Sequence, residues 1–172
     1  TLYDHIENNL SVKLLRDVLK DYKDKLESKD SYIKFRFDFP MKQNSLRSNL
    51  VGWQYYSCVL EGRIDETDSE KIYLTVEYIY SSACPCSYEM AQYIHEQTGE
   101  PVVSHSQRST AKVTIQLDLD YIMPIEDLIE KMRHAIPTEV LVMCKREDEA
   151  EFARLNGANQ LFCEDAARIA YE

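Results

Sequence analysis

Four short segments carry residue types that could do chemistry. The first is Ser82-Ala83-Cys84-Pro85-Cys86-Ser87, which follows an apolar alternating run and precedes a helical one. A thiolate there is a soft metal ligand, and amides at a helix start can hold it. A bare Cys-x-Cys is a weak signal on its own, and buried or incidental thiols are the commoner reading. The second is Ser104-His105-Ser106-Gln107-Arg108-Ser109, which sets an imidazole beside an amide and a guanidinium. Those donors suit a metal and a phosphate. Taken alone, a histidine is more often structural than a ligand. The third, Lys145-Arg146-Glu147-Asp148-Glu149, offers a carboxylate for metal or water next to cations for phosphates. Its plain alternative is a solvated helix start whose acids suit the dipole. The fourth, Phe162-Cys163-Glu164-Asp165, is again acidic at a helix start, and capping is the plain alternative.

The elements that must position these segments follow from the hydrophobic periods. Leu15, Val18, Leu19, Tyr22 and Leu26 fall at helical spacing, with Ser11 as a cap. Ile33, Phe35, Phe37 and Phe39 alternate with polar residues, a half-buried strand ending at Pro40. The stretch from Met41 to Val51 is polar and loop-like. Strands are expected from about Trp53 to Leu60 and from Ile72 to Tyr80, joined as a hairpin through the acidic Gly62 to Glu70 connection. The second of these puts Ile72, Leu74, Val76, Tyr78 and Tyr80 on one face. A helix over about Tyr88 to Gln97 stops near Gly99 and Pro101, with His105 beyond it, so that Cys84 and His105 can meet at one sheet end. Val113, Ile115, Leu117 and Leu119 alternate as a strand. Pro124 opens a helix with Glu126 and Asp127 in its first turn and Arg133 and His134 in its last. Val140 to Cys144 reads as a final strand, followed by helices over about Asp148 to Leu155 and Cys163 to Tyr171. This order favours an α+β fold, a mostly antiparallel sheet with helices on one face and the other face left for solvent or a partner.

With 172 residues the chain is long enough for one ordinary domain with a real core. The net charge of −10 argues against general nucleic-acid binding, although a few local cations can still hold phosphates. No apolar run approaches the length needed to cross a bilayer. The five cysteines show no disulfide framework, which points to a reducing, cytoplasmic setting. Cys58, Cys144 and Cys163 are expected as small buried hydrophobes.

In their order, Ser-x-Cys-Pro-Cys-Ser before a helix, His-x-Gln-Arg-Ser before a strand, Lys-Arg-x-Asp-Glu after a strand and Phe-x-Glu-Asp before the last helix resemble the type IB GTP cyclohydrolase I family. The resemblance runs from about Leu10 to Tyr171. It implies the tunnelling fold, an antiparallel sheet with helices outside, and a homo-oligomer, a tetramer, with active sites at subunit interfaces. It implies conversion of GTP and water to 7,8-dihydroneopterin triphosphate and formate, feeding folate and queuosine synthesis. By the same resemblance Cys84, His105 and Glu149 are the metal ligands and catalytic residues, with Glu147 the lesser alternative to Glu149. Glu164 is the guanine anchor, and Arg108, Lys145 and Arg146 contact the triphosphate. Zinc is the implied metal, with manganese or iron(II) as alternatives. Zinc would lower the pKa of a bound water to roughly 7 for attack at C8 of the guanine.

The chain departs from that pattern in three places. Tyr88 stands where family members usually carry Lys. The Cys84 to His105 stretch is longer than in many members and contains His95, expected on a helix surface. The sequence ends at Glu172, before a later histidine-containing segment of the family, so residues 1–172 are expected as a single cyclohydrolase domain without that segment. The competing readings are an archaeal-type member that uses Fe(II) and yields a cyclic-phosphate pterin, a non-catalytic purine- or pterin-binding tunnelling-fold protein, and a structural zinc site.

Overall fold

The computed structural model describes residues 10–118, 120 and 122–172. The expected strand residue Leu119 lies outside them. Nine elements follow one another: α1 (Val12–Lys25), β1 (Ser31–Asn44), β2 (Val51–Ile64), β3 (Glu70–Ala83), α2 (Pro85–Thr98), β4 (Ser106–Gln116), α3 (Ile125–Ala135), α4 (Arg146–Ala158) and α5 (Cys163–Tyr171). The strands form one four-stranded antiparallel sheet in the order β1-β2-β3-β4, which with the helices makes an α+β fold. The chain divides into two compact units. One holds the described residues among Thr1–Phe39, Ser57–Val76 and Thr114–Ile125, and the other holds Pro40–Tyr56, Glu77–Val113 and Glu126–Glu172.

In the first unit, Ser11 caps α1 by accepting from the Leu14 amide at 3.1 Å. The apolar stripe Leu15, Val18 and Leu19 is buried at the helix face that meets β2. Gly62 makes that approach close: a Cβ there would come 2.8 Å from both Leu15 Cδ2 and Leu19 Cδ1. The β2–β3 hairpin pairs Cys58 with Val76, Leu60 with Leu74 and Gly62 with Ile72, so one face presents a continuous apolar surface. Its turn is held by the Asp65 carboxylate, which accepts from the Thr67 and Ser69 amides at 2.9 and 3.1 Å. The opposite face is mixed: Lys34 pairs with Glu61 at 2.7 Å and Ser57 donates to Asp38 at 3.0 Å, beside exposed Tyr32 and partly buried Val59 and Tyr73.

In the second unit, α3 buries Leu128, Ile129 and Met132. Tyr78 on β3 donates to the Ile136 carbonyl at 2.8 Å, just beyond that helix. Arg133 binds Glu139 Oε2 at 2.7 Å and the Tyr56 hydroxyl at 2.8 Å, and Tyr56 in turn donates to Glu139 Oε1. Burial and then the neighbouring Glu139 push the Tyr56 hydroxyl well above the usual phenol range. On β2, Trp53 is half exposed, with the Lys42 ammonium 5.5 Å from its ring centre.

Three differences from the sequence-based expectation concern β1, the segment after α3 and the cysteines; in addition α2 begins at Pro85 rather than near Tyr88. β1 does not stop at Pro40 but runs on to Asn44. It is an edge strand, the place in a sheet where proline is tolerated. The expected strand from Val140 to Cys144 is reduced to a single bridge, Tyr80 to Glu139. The Val140 carbonyl accepts from the side-chain amides of Gln43 and Gln54 at 3.2 and 3.3 Å, and the Val142 amide donates to Gln43 Oε1 at 2.9 Å. The segment crosses Gly52, whose Cβ would come 2.6 Å from Met143 Cγ. The Val140 amide still donates to the Ile79 carbonyl of β3 at 3.1 Å, and beyond it glutamine side chains take the place of a strand partner. Thirdly, of the cysteines expected inside, only Cys58 is buried, and Cys144 and Cys163 are exposed. Both sit at or beside helix starts rather than on the core face of an element.

Because Leu15 is fully buried between α1 and the hairpin, Leu15→Ala should destabilise the protein by about 2–5 kcal/mol. Urea unfolding with an unchanged slope and a midpoint within error of wild type would contradict this packing.

Candidate functional site

The C-terminal end of β3 is where the chemistry-bearing segments gather. β3 carries the chain out of the core through Tyr80 and Ala83, both buried, and delivers Cys84 half-buried at the N-cap of α2. Pro85 at the first helical position lacks the N–H that would go unpaired there. Gly99 ends the helix at φ 72°, a left-handed conformation that favours glycine, and its amide reaches the His95 carbonyl at 2.8 Å. The chain then returns through residues 100–105. The Cys84 amide makes a long hydrogen bond of 3.4 Å to the His105 carbonyl, and the His105 amide donates to Ser87 Oγ at 3.1 Å. Cys84 and His105 are therefore neighbours through their backbones, as their spacing across a helix suggests.

The His-x-Gln-Arg-Ser segment does not precede a strand but opens one, since β4 begins at Ser106. Ser82 and Ser109 share a 2.8 Å hydroxyl contact across β3 and β4. On the other side, Ala83 bridges Gln160 in parallel, and the Leu161 amide donates to the Ala83 carbonyl at 3.2 Å. That bridge brings the start of α5, with exposed Glu164 in its first turn, to the same strand end. Burial raises the pKa of the Tyr80 hydroxyl; the nearby Cys163 thiol adds to the rise, and a hydrogen bond with Ser109 opposes it.

Glu149 lies in the first turn of α4 and is exposed. It shares a helix face with Ala153 and Asn156, one and two turns on. Those two residues line a cavity of about 460 Å³ together with Ala83, His95, Ser104 and Ser106. The face of Glu149 is thus turned toward the residues flanking Cys84 and His105. Among the described residues, no three His, Cys, Asp or Glu side chains are grouped closely enough to hold a metal ion. The structure brings Cys84, His105 and the start of α5 together, while Glu149 remains outside a three-residue cluster. Arg108, Lys145 and Arg146 are exposed and make no ion pair with another described residue, so their charges are open to an anion.

Asp148 is the residue that sequence reasoning passed over. It is fully buried, yet lies in a run of exposed charged residues. Its Oδ1 accepts from the Arg47 and Ser48 amides at 2.7 and 3.0 Å, and its Oδ2 accepts from the Lys145 amide at 2.7 Å. Burial alone would raise its pKa, but hydrogen bonds from Ser48, Lys145 and Arg47 outweigh it and hold the carboxyl far below the usual range. The available signal was its place three residues after a helix boundary, the position from which an acidic side chain reaches back to the cap amide.

A sheet that gathers a cysteine, a histidine segment and an acidic helix start at one strand end is consistent with the tunnelling-fold class. The chain belongs to the type I GTP cyclohydrolase folE2 family, whose sequence profile matches residues 1–172. A GTP cyclohydrolase FolE2 of Cereibacter sphaeroides is 46% identical over 168 residues, covering 98% of this chain and 46% of that protein. FolE2 proteins of Dinoroseobacter shibae and Roseobacter denitrificans are 46% and 44% identical, over 98% and 100% of this chain and 46% and 47% of theirs. The chain therefore spans about half the length of the curated relatives it matches. Among the described residues, no helix is long and apolar enough to cross a membrane.

A carboxyl with a depressed folded-state pKa contributes stability that is full above its unfolded value, near 4, and is lost as pH falls toward the folded value. Asp148→Asn should therefore lower the melting temperature most at neutral pH, and the gap to wild type should narrow progressively below pH 4. A gap that stays constant between pH 7 and pH 3 would show that the ionised carboxylate is not what holds α4.

Proposed function

We propose that the protein is a metal-dependent GTP cyclohydrolase I, converting GTP and water to 7,8-dihydroneopterin triphosphate and formate, an entry step to folate and related pterins. The observation that supports this most is the meeting of Cys84 and His105 through their backbones at the end of β3, in a chain of the folE2 family. A thiolate, an imidazole and a carboxylate form a donor set suited to zinc, and also accepted by iron(II) or manganese. Cys84 and His105 would hold the metal from adjacent backbone positions, and Glu149, from the face of α4 turned toward them, is the proposed third ligand. When bound, zinc would supply Lewis acidity and a water of lowered pKa.

The remaining roles fall to the chain's own side chains. Glu164, exposed at the start of α5 beside Ala83, accepts from the N1–H and 2-amino groups of guanine, for which a carboxylate has the right pair of acceptors. Arg108, Lys145 and Arg146 neutralise the triphosphate. We further propose that residues 1–172 act as one cyclohydrolase domain in the cytoplasm, assembled as a homo-oligomer with the active site at a subunit interface. A ligand set that does not close among the described residues of one chain fits such an arrangement.

The deciding experiment incubates the intact gene product with GTP and zinc, manganese or iron(II), with and without a chelator. Product is then oxidised, dephosphorylated and read as pterin fluorescence. A chelator-sensitive neopterin signal with one equivalent of formate is expected. No signal with any of the three metals would leave a purine-binding protein without catalysis. Replacing Glu164 with Gln should cut GTP turnover at least 100-fold, on the order of 3 kcal/mol, while bound zinc stays at the wild-type level. Unchanged turnover in that variant would remove the guanine-anchor assignment.

A further inference from the structure

Both main-chain groups of His105 are held by the first turn of α2. The Cys84 amide donates to the His105 carbonyl at 3.4 Å, and the His105 amide donates to Ser87 Oγ at 3.1 Å. These two bonds replace a local pattern. With Cys84 as the N-cap, Ser87 is the third helical residue, the position whose side chain in a capping box reaches back to the cap amide. Here the cap amide and that side chain bond to His105 instead of to each other. Cys84, although it is the cap, makes no side-chain bond to the helix, so its sulfur is not engaged by the amides beside it.

The position of this clamp along the chain gives it weight. From Glu100 to His105 only Ser104 is not exposed, and Pro101 to Ser104 hydrogen-bond to no other described residue. Beyond the clamp, β4 begins at Ser106, with Ser82 and Ser109 in contact at 2.8 Å across β3 and β4. His105 is thus where a sparsely tied return becomes fixed. Of its two ties the Ser87 bond is the shorter, and Ser87 Oγ is the one acceptor of the His105 amide. An imidazole is aimed at an ion only when the backbone that carries it is held. We propose that Ser87 is a positioning residue for the metal pair: its hydroxyl registers the His105 backbone against Cys84, so that thiolate and imidazole reach one ion together. This inference rests on the metal-dependent reading and deepens it, by naming the group that sets two of its ligands against each other. Ser87 needs no contact with the ion, because its effect passes through the His105 amide.

The test titrates the intact, metal-free gene product with cobalt(II) as a spectroscopic stand-in for zinc. Wild type should show a thiolate-to-cobalt charge-transfer band, and Cys84→Ala should lose it. Ser87→Ala should bind cobalt(II) about 10-fold more weakly, the lower end of what removing a group that supports a ligand costs. In the metal-free form of that variant the His105 amide should exchange with solvent faster than in wild type, since its acceptor is gone. Ser87→Thr, which keeps the hydroxyl, should stay near wild type in both readouts. The melting temperature of metal-free Ser87→Ala should stay close to wild type, because alanine is the better helix former, and this separates positioning from a general loss of fold. Wild-type cobalt(II) affinity in Ser87→Ala, unchanged exchange of the His105 amide, or Ser87→Thr losing as much affinity as Ser87→Ala would overturn the positioning role and leave the metal reading in place. No thiolate band in wild type, or one that survives in Cys84→Ala, would remove the metal pair and this role with it.

Discussion

The buried carboxylate of Asp148 is the constraint on which the arrangement of the candidate site depends. An isolated anion inside a protein is among the costliest groups to bury, and it is tolerated only when its oxygens are taken up by donors. Here three backbone amides do so, two from the connection between β1 and β2 and one from the start of α4. The bond from Lys145 also satisfies an amide at a helix start that would otherwise lack a partner. Each end of this interaction is fixed by the other, so α4 can begin only where Arg47 and Ser48 lie. The Arg47–Glu151 pair at 3.0 Å ties the same two segments at the surface, where such pairs contribute little. The origin and rotation of α4 decide where Glu149 points and which residues wall the cavity.

Much of this was legible in the sequence because local rules and tertiary structure agree. Ser11 caps α1 and Gly99 closes α2, each for a reason confined to its own helix end, although α2 opens at Pro85 rather than near Tyr88. The alternation from Ile72 to Tyr80 named the buried face of β3 residue by residue, since a two-residue period leaves no choice of face once one side is covered. The order of the motifs then carried the family, which the profile match bears out.

What the sequence did not show is where tertiary partners replace local ones. Pro40 looks like a strand end until its strand proves to be an edge. Val140 to Cys144 has strand composition, but the Val140 carbonyl and the Val142 amide are taken by Gln43 and Gln54, whose positions only the fold supplies. Cys144 and Cys163 are hydrophobic by type and exposed by position. Asp148 sits among acids that look alike in sequence, and only the amides of Arg47 and Ser48, about a hundred residues earlier, distinguish it from Glu147 and Glu149. The candidate site shows the same division. Cys84 and His105 are separated by one helix and could be paired from spacing, whereas the approach of α5 depends on a bridge between Ala83 and Gln160 that no spacing announces.

The uncovered face of β2 has a practical consequence. Trp53 is the single tryptophan of the chain, half exposed, with an ammonium over its ring. Its indole emission therefore comes from one known place on the sheet surface, at a long, water-like wavelength and open to quenching by iodide. Any event that covers this face moves the emission to the blue and shields it from the quencher. The sequence thus carries its own optical gauge of whether that surface meets water or another protein, readable in dilute solution without a label.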